Sequence, residues 1–281
     1  SELEQDARTR LVEHHLISYD MLKFVERSAA MISSAGTVSV MLNENDHIRF
    51  QGLLPGLQLE RAAEMALKFD EAVGEKYPFA FDNQWGFLTS SPANAGTGMR
   101  CSVIMHLPAL TRGGRMGAIM QAVAKMGLAI RGLYGEGGEA RGQLYQLSNQ
   151  ATLGLSEEEI VHSLTQAAQQ IAGHERTMRE MSEKKDMMAQ QDTLMRSWGE
   201  LMYARLMTNK EFMRRYSDAR YAASMGYVHA PLPALDLLMM DVQPGSLGVR
   251  AGKLIGDREA EIFRARVVRE ELKKLEGSLS E

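Results

Sequence analysis

The chain has 281 residues and a formal net charge of -4, with a sequence pI near 6.0; that length accommodates one sizeable domain and a smaller one. A near-neutral chain projects no broad basic field, so wholesale nucleic-acid binding is excluded as the leading expectation. The single cysteine, Cys101, rules out an intrachain disulfide, argues against a thiolate metal site and fits a reducing cytoplasm. Neither the polar opening SELEQDARTR nor the short apolar stretch from Leu235 to Met240 reads as a secretion signal or a membrane span.

The first 16 or so residues carry a helical pattern, after which Thr37 to Leu42 alternates like a strand with one face on a core. The polar Asn43 to Asp46 reads as a turn, and His47 to Gln51 resumes the alternation, which predicts a hairpin presenting that turn at its tip. Pro55 and Gly56 end it. Leu57 to Lys76 then places Leu59, Ala62, Ala63, Ala66, Phe69 and Val73 on one stripe of an amphipathic helix. A second hairpin is expected around Asp82 to Gln84, followed by the loop SPANAGTG and a strand from Met99 to Met105. A helix from Met116 to Met126 and a strand at Leu128 to Ile130 come next, and beyond the glycine-rich RGLYGEGGEARG a short strand runs from Gln143 to Leu147.

This irregular alternation of strands and helices predicts an α+β body rather than a doubly wound sheet, ending near Leu155. Ser156 with Glu159 has the spacing of a capping box at the head of a long helix, and Thr208 with Glu211 repeats it. The last third is therefore expected to be mostly helical. Its methionines, dense from Met178 to Met213, suit either a repacking interface or ordinary helix core.

Arg49, Arg100 and Arg131 each fall on or beside a predicted strand, and the planar guanidinium fork suits multidentate phosphate binding. Neither a GxxxxGK[ST] loop nor a kinase-type glycine loop is present, so a triphosphate bound here needs arginines in their place. In the turn, the carboxylates flanking Asn45 suit orientation of a nitrogen nucleophile or help with magnesium, the plainer alternative being a solvated turn.

Three segments, NENDHIRFQGLLPGLQL, GFLTSSPANAGTGMRCSVIMHLPAL and AIRGLYGEGGEARGQLYQLSNQATLGLSEEEI, occur in that order. Together they resemble the catalytic core of the phosphagen kinases, and HIRFQGLLPG with RGLYGEGGEARG looks most similar to the bacterial protein-arginine kinases. The resemblance implies a phosphagen-kinase-like antiparallel sheet flanked by helices and a mostly helical C-terminal domain. It divides the chain into a remnant of an N-terminal helical region at 1–25, a catalytic domain at 26–176 and a helical domain at 177–281 that dimerises. ATP and Mg2+ are implied as cosubstrates, with phosphoryl transfer onto exposed arginines of protein substrates. The implied setting is cytoplasmic quality control, with an activator protein, a heat-shock repressor and a Clp ATPase as partners, and with no membrane or direct nucleic acid.

Carried over residue by residue, the resemblance makes Arg49, Arg100 and Arg131 the nucleotide-phosphate arginines. Arg100, Cys101, Ser102, Val103 and Ile104 form one nucleotide-contact segment, and Arg131, Gly132, Leu133, Tyr134, Gly135 and Glu136 the other, while His15 borders the nucleotide. Several departures from the pattern stand beside this. Asn45 occupies the position of the family's catalytic glutamate, with Glu44 adjacent, and Ser91 replaces a cysteine. A family SSR-x-R motif does not occur in this sequence. Glu261 and Arg264 match part of a phosphoarginine-binding RD-x-x-RA motif, or form a plain surface pair three residues apart on a helix. Two readings follow: an ATP-dependent protein-arginine kinase, or a catalytically impaired relative that binds nucleotide or phosphoarginine as a regulator.

Overall fold

The computed structural model describes residues 2–134 and 140–277. Helix α1 (Gln5–Glu13) is followed by a 3-10 turn at Tyr19–Leu22, and then β1 (Ala29–Ile32), β2 (Val38–Leu42) and β3 (Ile48–Gly52) form an antiparallel sheet in that order. The β2–β3 pair is the expected hairpin, with Met41 opposite Arg49. Asn43 closes it in the left-handed region at φ 51, which asparagine tolerates better than most residues. The Asn43 N–H donates to the His47 carbonyl at 2.9 Å.

Helix α2 (Leu59–Gly74) lies directly on β3. A Cβ at Gly52 would stand 2.2 Å from the Ala62 carbonyl oxygen, so only glycine permits this approach. Phe50 of β3 stacks on Phe69 of α2 with ring centroids 6.4 Å apart. The second hairpin, β4 (Phe81–Asp82) with β5 (Gly86–Phe87), turns on Asp82, whose Oδ1 accepts the N–H groups of Gln84 and Trp85 at 2.8 and 3.0 Å.

The main sheet is antiparallel with spatial order β6 (Ser102–His106), β8 (Ala140–Asn149), β7 (Leu128–Tyr134). Strand alternation sends Met105, Ile130, Tyr145 and Leu147 to a face buried against α4 (Met116–Lys125) and the first half of α5 (Glu157–Lys185). Short α3 (Pro108–Arg112) joins β6 to this layer, and the Glu175 carboxylate of α5 accepts the N–H groups of Ala109 and Leu110 at 3.0 and 2.9 Å. The capping box of α5 is formed in full: Ser156 Oγ accepts the Glu159 N–H at 3.2 Å, and Glu159 accepts the Ser156 N–H at 2.8 Å.

A second core gathers α6 (Met187–Tyr203), α7 (Asn209–Ser224), α8 (Leu232–Asp241), α9 (Pro244–Ala251) and α10 (Asp257–Gly277) around Phe212, Tyr216, Leu201 and Leu272. At the head of α7 the cap is the forward bond, from the Glu211 N–H to Thr208 Oγ1 at 3.1 Å. Leu144 of β8 and Ala109 of α3 belong to this core as well, so the helical region covers one end of the main sheet. A polar seam runs along that junction. His106 Nε2 lies 2.8 Å from Ser217 Oγ, and Ser217 Oγ donates to Gln143 Oε1 at 2.7 Å. Arg220 donates to Asp236 through Nε at 2.6 Å and Nη2 at 3.1 Å. At the other end, α1 packs on α9, whose first N–H groups, at Gly245 and Ser246, donate to the Glu13 carboxylate at 2.7 and 2.8 Å. Among the described residues no helix is long and apolar enough to cross a membrane.

Candidate active site

The tip of the β2–β3 hairpin is clasped by the SPANAGTG loop. Asp46 accepts the Ser90 N–H at 2.6 Å on one oxygen and the Asn94 side-chain amide at 3.1 Å on the other, and Ser90 Oγ donates to the Asn45 carbonyl at 2.6 Å. Burial alone would raise the Asp46 pKa, but the bonds from Ser90 and Asn94 outweigh it and hold the carboxyl below its ordinary value. Gly96 seats the loop on the end of β8's connection: with φ at +96, a Cβ there would stand 2.5 Å from the Thr152 carbonyl oxygen. Thr152 Oγ1 in turn donates toward the Ala93 and Ala95 carbonyls at 3.1 and 2.6 Å. So held, the loop leads into Arg100, which is exposed just before β6.

Glu44 and Asn45, adjacent in sequence, have different fates. The Glu44 side chain is only 3% exposed; one carboxylate oxygen accepts from Arg49 Nη1 at 3.2 Å and the other from the Asn45 N–H at 2.7 Å. It is the built-in counterion of Arg49. Asn45 is exposed, and its Nδ2 donates to Asp20 Oδ2 at 3.4 Å. Gln51, two residues along β3 from Arg49 and so on the same face, donates through Nε2 to the His15 carbonyl at 2.5 Å. His15 takes a positive φ of 58, and burial, with His14 adding, lowers its pKa.

On the main sheet, directly opposed residues share a face. Ile104, Gln146 and Arg131 form one row across the three strands, and Ser102, Ser148 and Ala129 the next. Ser102, Ile104 and Arg131 are exposed, whereas Cys101 is buried and Val103 half-buried, packed with the core on the opposite face. Alternation thus splits the first segment expected to contact nucleotide: Ser102 and Ile104 look outward, while the side chains of Cys101 and Val103 serve the core. Burial pushes the Cys101 thiol up to about 11, and its N–H donates to Asn149 Oδ1 at 2.9 Å. In the second segment Gly132 lies in β7 and Leu133 packs against the helical core. Tyr134 ends that strand, and Gly135 and Glu136 lie outside the described residues.

Glu261 and Arg264 do not form the plain surface pair that stood as the alternative to a phosphoarginine motif. Arg264 is 3% exposed and donates through Nε to the Val242 carbonyl and through Nη1 to the Met207 carbonyl, both at 3.0 Å. Glu261 pairs instead with Arg258 at 3.1 Å. The physical reason is local demand, since Val242 caps the end of α8 and helix-end carbonyls lack partners of their own. Asp20, Asn94 and Thr152 were not singled out in the sequence reading. Asn94 and Thr152 lie within quoted motif segments, but Asp20 is 25 residues from its neighbour Asn45, and no local pattern marks it.

Residues 1–178 match the ATP:guanido phosphotransferase family, C-terminal catalytic domain. A taurocyamine kinase from Schistosoma mansoni, solved with bound transition state analog components, superposes with a TM-score of 0.56 at 27% identity, covering 63% of this chain and 26% of that one. A lombricine kinase superposes with a TM-score of 0.55 at 23% identity, over 63% of this chain and 52% of that one. Fold and catalytic domain are therefore those of the guanidino phosphotransferases.

Residues 187–281 match the protein-arginine kinase McsB C-terminal domain. A protein-arginine kinase of Caldanaerobacter subterraneus subsp. tengcongensis is 42% identical over 269 residues, 96% of this chain and 80% of that protein. One from a Geobacillus species is 42% identical over 282 residues, 100% of this chain and 78% of the relative. The chain belongs to the protein-arginine kinase family.

Proposed function

We propose that this chain transfers the γ-phosphate of ATP to arginine side chains of proteins, with Arg49, Arg100 and Arg131 neutralising the nucleotide phosphates. The observation that carries the reading is the outer face of the main sheet, where Arg131 stands exposed in the same row as Ile104, with Arg100 exposed just before Ser102 at the start of β6. A permanently charged fork on such a face matches phosphate oxygens. It also stabilises the charge spread over a moving phosphoryl group, while positioning of the target guanidinium supplies much of the remaining rate.

Arg49 joins this cradle from the neighbouring sheet, oriented by Glu44, and the Asp46 clasp links the two sheets. His15, through its carbonyl on Gln51, borders the same face of β3. Magnesium would enter with ATP and lower the phosphate charge. It is held mainly by phosphate oxygens and water, so the lack of a cluster of three or more acidic, His or Cys side chains among the described residues is compatible with its use. Within this reading phosphoarginine marks proteins for Clp-type proteolysis and regulates a heat-shock repressor in the cytoplasm, with an activator as a further partner; the family resemblance supports these points. A homodimer is supported by methionines exposed on α5 and α6, among them Met181, Met187 and Met188.

One observation favours the second reading, a regulator that binds nucleotide without transfer: an amide, Asn45, at the position of the family's catalytic carboxylate. Phosphoarginine recognition at Glu261 and Arg264 is disfavoured, because it would require Arg264 to leave two buried carbonyls. Incubation with ATP, magnesium and an arginine-bearing protein, followed by phosphorus NMR, separates the readings. An acid-labile N-phosphate signal on arginine is expected; ATP binding with no such signal would establish the regulator instead.

A further inference from the structure

Among the described residues the hairpin tip has three carboxylates within its reach, and two are tied into the fold. Glu44 is covered and serves Arg49, and both oxygens of Asp46 are bonded to the loop at Ser90 and Asn94. The third is Asp20, contributed by the 3-10 turn, whose side chain is 38% exposed; its Oδ1 accepts from the exposed Lys23 at 2.7 Å and its Oδ2 from Asn45 Nδ2 at 3.4 Å, partners that lie on the surface rather than in the core. This turn is anchored. Its Met21 is buried in a small cluster with Ile17 and Met41, and Met41 is the cross-strand partner of Arg49. The Asp20 backbone is therefore fixed relative to the strand that carries the phosphate-binding arginine. Its carboxyl is held below the usual range by a hydrogen bond from Lys23, with Asn45 and Arg49 adding, so it is anionic at neutral pH.

We propose that Asp20 supplies the carboxylate that position 45 lacks, holding the target guanidinium in line with the γ-phosphate and accepting its proton. The inference rests on the phosphotransferase reading above. In the step, a guanidino nitrogen forms the N–P bond with the γ-phosphorus as the bond from that phosphorus to the bridging oxygen breaks. The electron pair of that bond leaves with ADP, and one proton passes from the guanidinium to the Asp20 carboxylate and on to water. Asn45 fits as a hydrogen-bonding neighbour that orients Asp20. The carboxylate would then reach the site from a different element than the hairpin motif it replaces, one side-chain contact away from Asn45.

The test uses the full chain and steady-state transfer from ATP to an arginine-bearing protein, comparing wild type, Asp20→Asn, Asn45→Glu and the double variant. Asp20→Asn is isosteric and exposed, and a thermal melt checks that it folds. The expected result is a fall in kcat of about 10²-fold on Asp20→Asn, within the range for loss of a general base, with the KM for ATP unchanged. Asn45→Glu in the same background should restore the rate. An active wild type indifferent to Asp20→Asn overturns the inference and leaves the phosphotransferase reading standing. A loss that Asn45→Glu does not restore makes Asp20 a structural tie and also overturns it. A wild type inert until Asn45→Glu is introduced shows that Asp20 does not substitute, whereas inert wild type and inert Asn45→Glu together sink the phosphotransferase reading itself.

Discussion

At Glu44 both carboxylate oxygens are taken, one by Arg49 and one by the Asn45 N–H, and this decides how neighbouring acidic residues divide their work. A carboxylate 3% exposed beside a guanidinium orients that guanidinium and is poorly placed to receive a proton from an incoming one. Asp46 has a different task. Its two hydrogen bonds, to a backbone N–H and to Asn94, hold the loop that leads to Arg100. Hydrogen bonds to a charged acceptor contribute about 1.5–3 kcal/mol each when buried, and less where water competes. Asp46→Ala should therefore lower stability by about 1–2 kcal/mol and speed amide exchange at Ser90. Equal urea midpoints with unchanged exchange would show that the clasp contributes nothing.

Among the elements, those with a local signature were legible in the sequence. The Ser156–Glu159 box appears with both of its bonds because four residues suffice to specify it. The β2–β3 hairpin follows from two alternating runs around a polar turn. β1 was not anticipated, since Ala29, Ala30 and Met31 are all exposed and an edge strand with no buried face leaves no alternation to read. β8 extends on both sides of the expected Gln143–Leu147, to Ala140–Asn149, because pairing with β6 and β7 on either flank carries it past its apolar stretch. The site was legible to the same extent. Arg49, Arg100 and Arg131 stand out as expected phosphate ligands from strand position and motif order, but the burial of Glu44, the Asp46 clasp and the approach of Asp20 depend on contacts between distant segments. Arg264 shows the limit most clearly: its place in the sequence suggests a surface pair, and its burial follows from carbonyls contributed by two other elements.

For the whole molecule, the seam between the main sheet and the helical region carries a pH dependence. Burial, with Arg220, Arg179 and Arg112 adding, holds His106 well below its ordinary pKa of 6.5, so it is neutral in the folded chain. The unfolded chain binds the proton at the ordinary value. Stability is thus fully present above about pH 6.5 and lost as pH falls below it, by up to about 1.4 kcal/mol per pH unit for one such group. His14 and His15, also lowered, add in the same direction. Glu13, raised chiefly by burial, opposes them toward more acid pH. His106→Gln should flatten the decline between about pH 7 and 5.5 in chemical unfolding; a decline as steep as that of wild type would remove His106 from the account.

The same architecture places Arg49 on one sheet, Arg131 exposed on another and Arg100 exposed just before that sheet's β6, with the Asp46 clasp joining the hairpin of Arg49 to the loop that leads to Arg100. The central claim is that these three side chains form one phosphate cradle. Titration calorimetry of ATP-magnesium into the chain and into Arg49→Ala, Arg100→Ala and Arg131→Ala tests it most directly. Each arginine contributes charge-assisted bonds to phosphate oxygens, so each substitution should weaken affinity by about tenfold or more, with the fold intact. Unchanged affinity in all three variants would contradict the cradle.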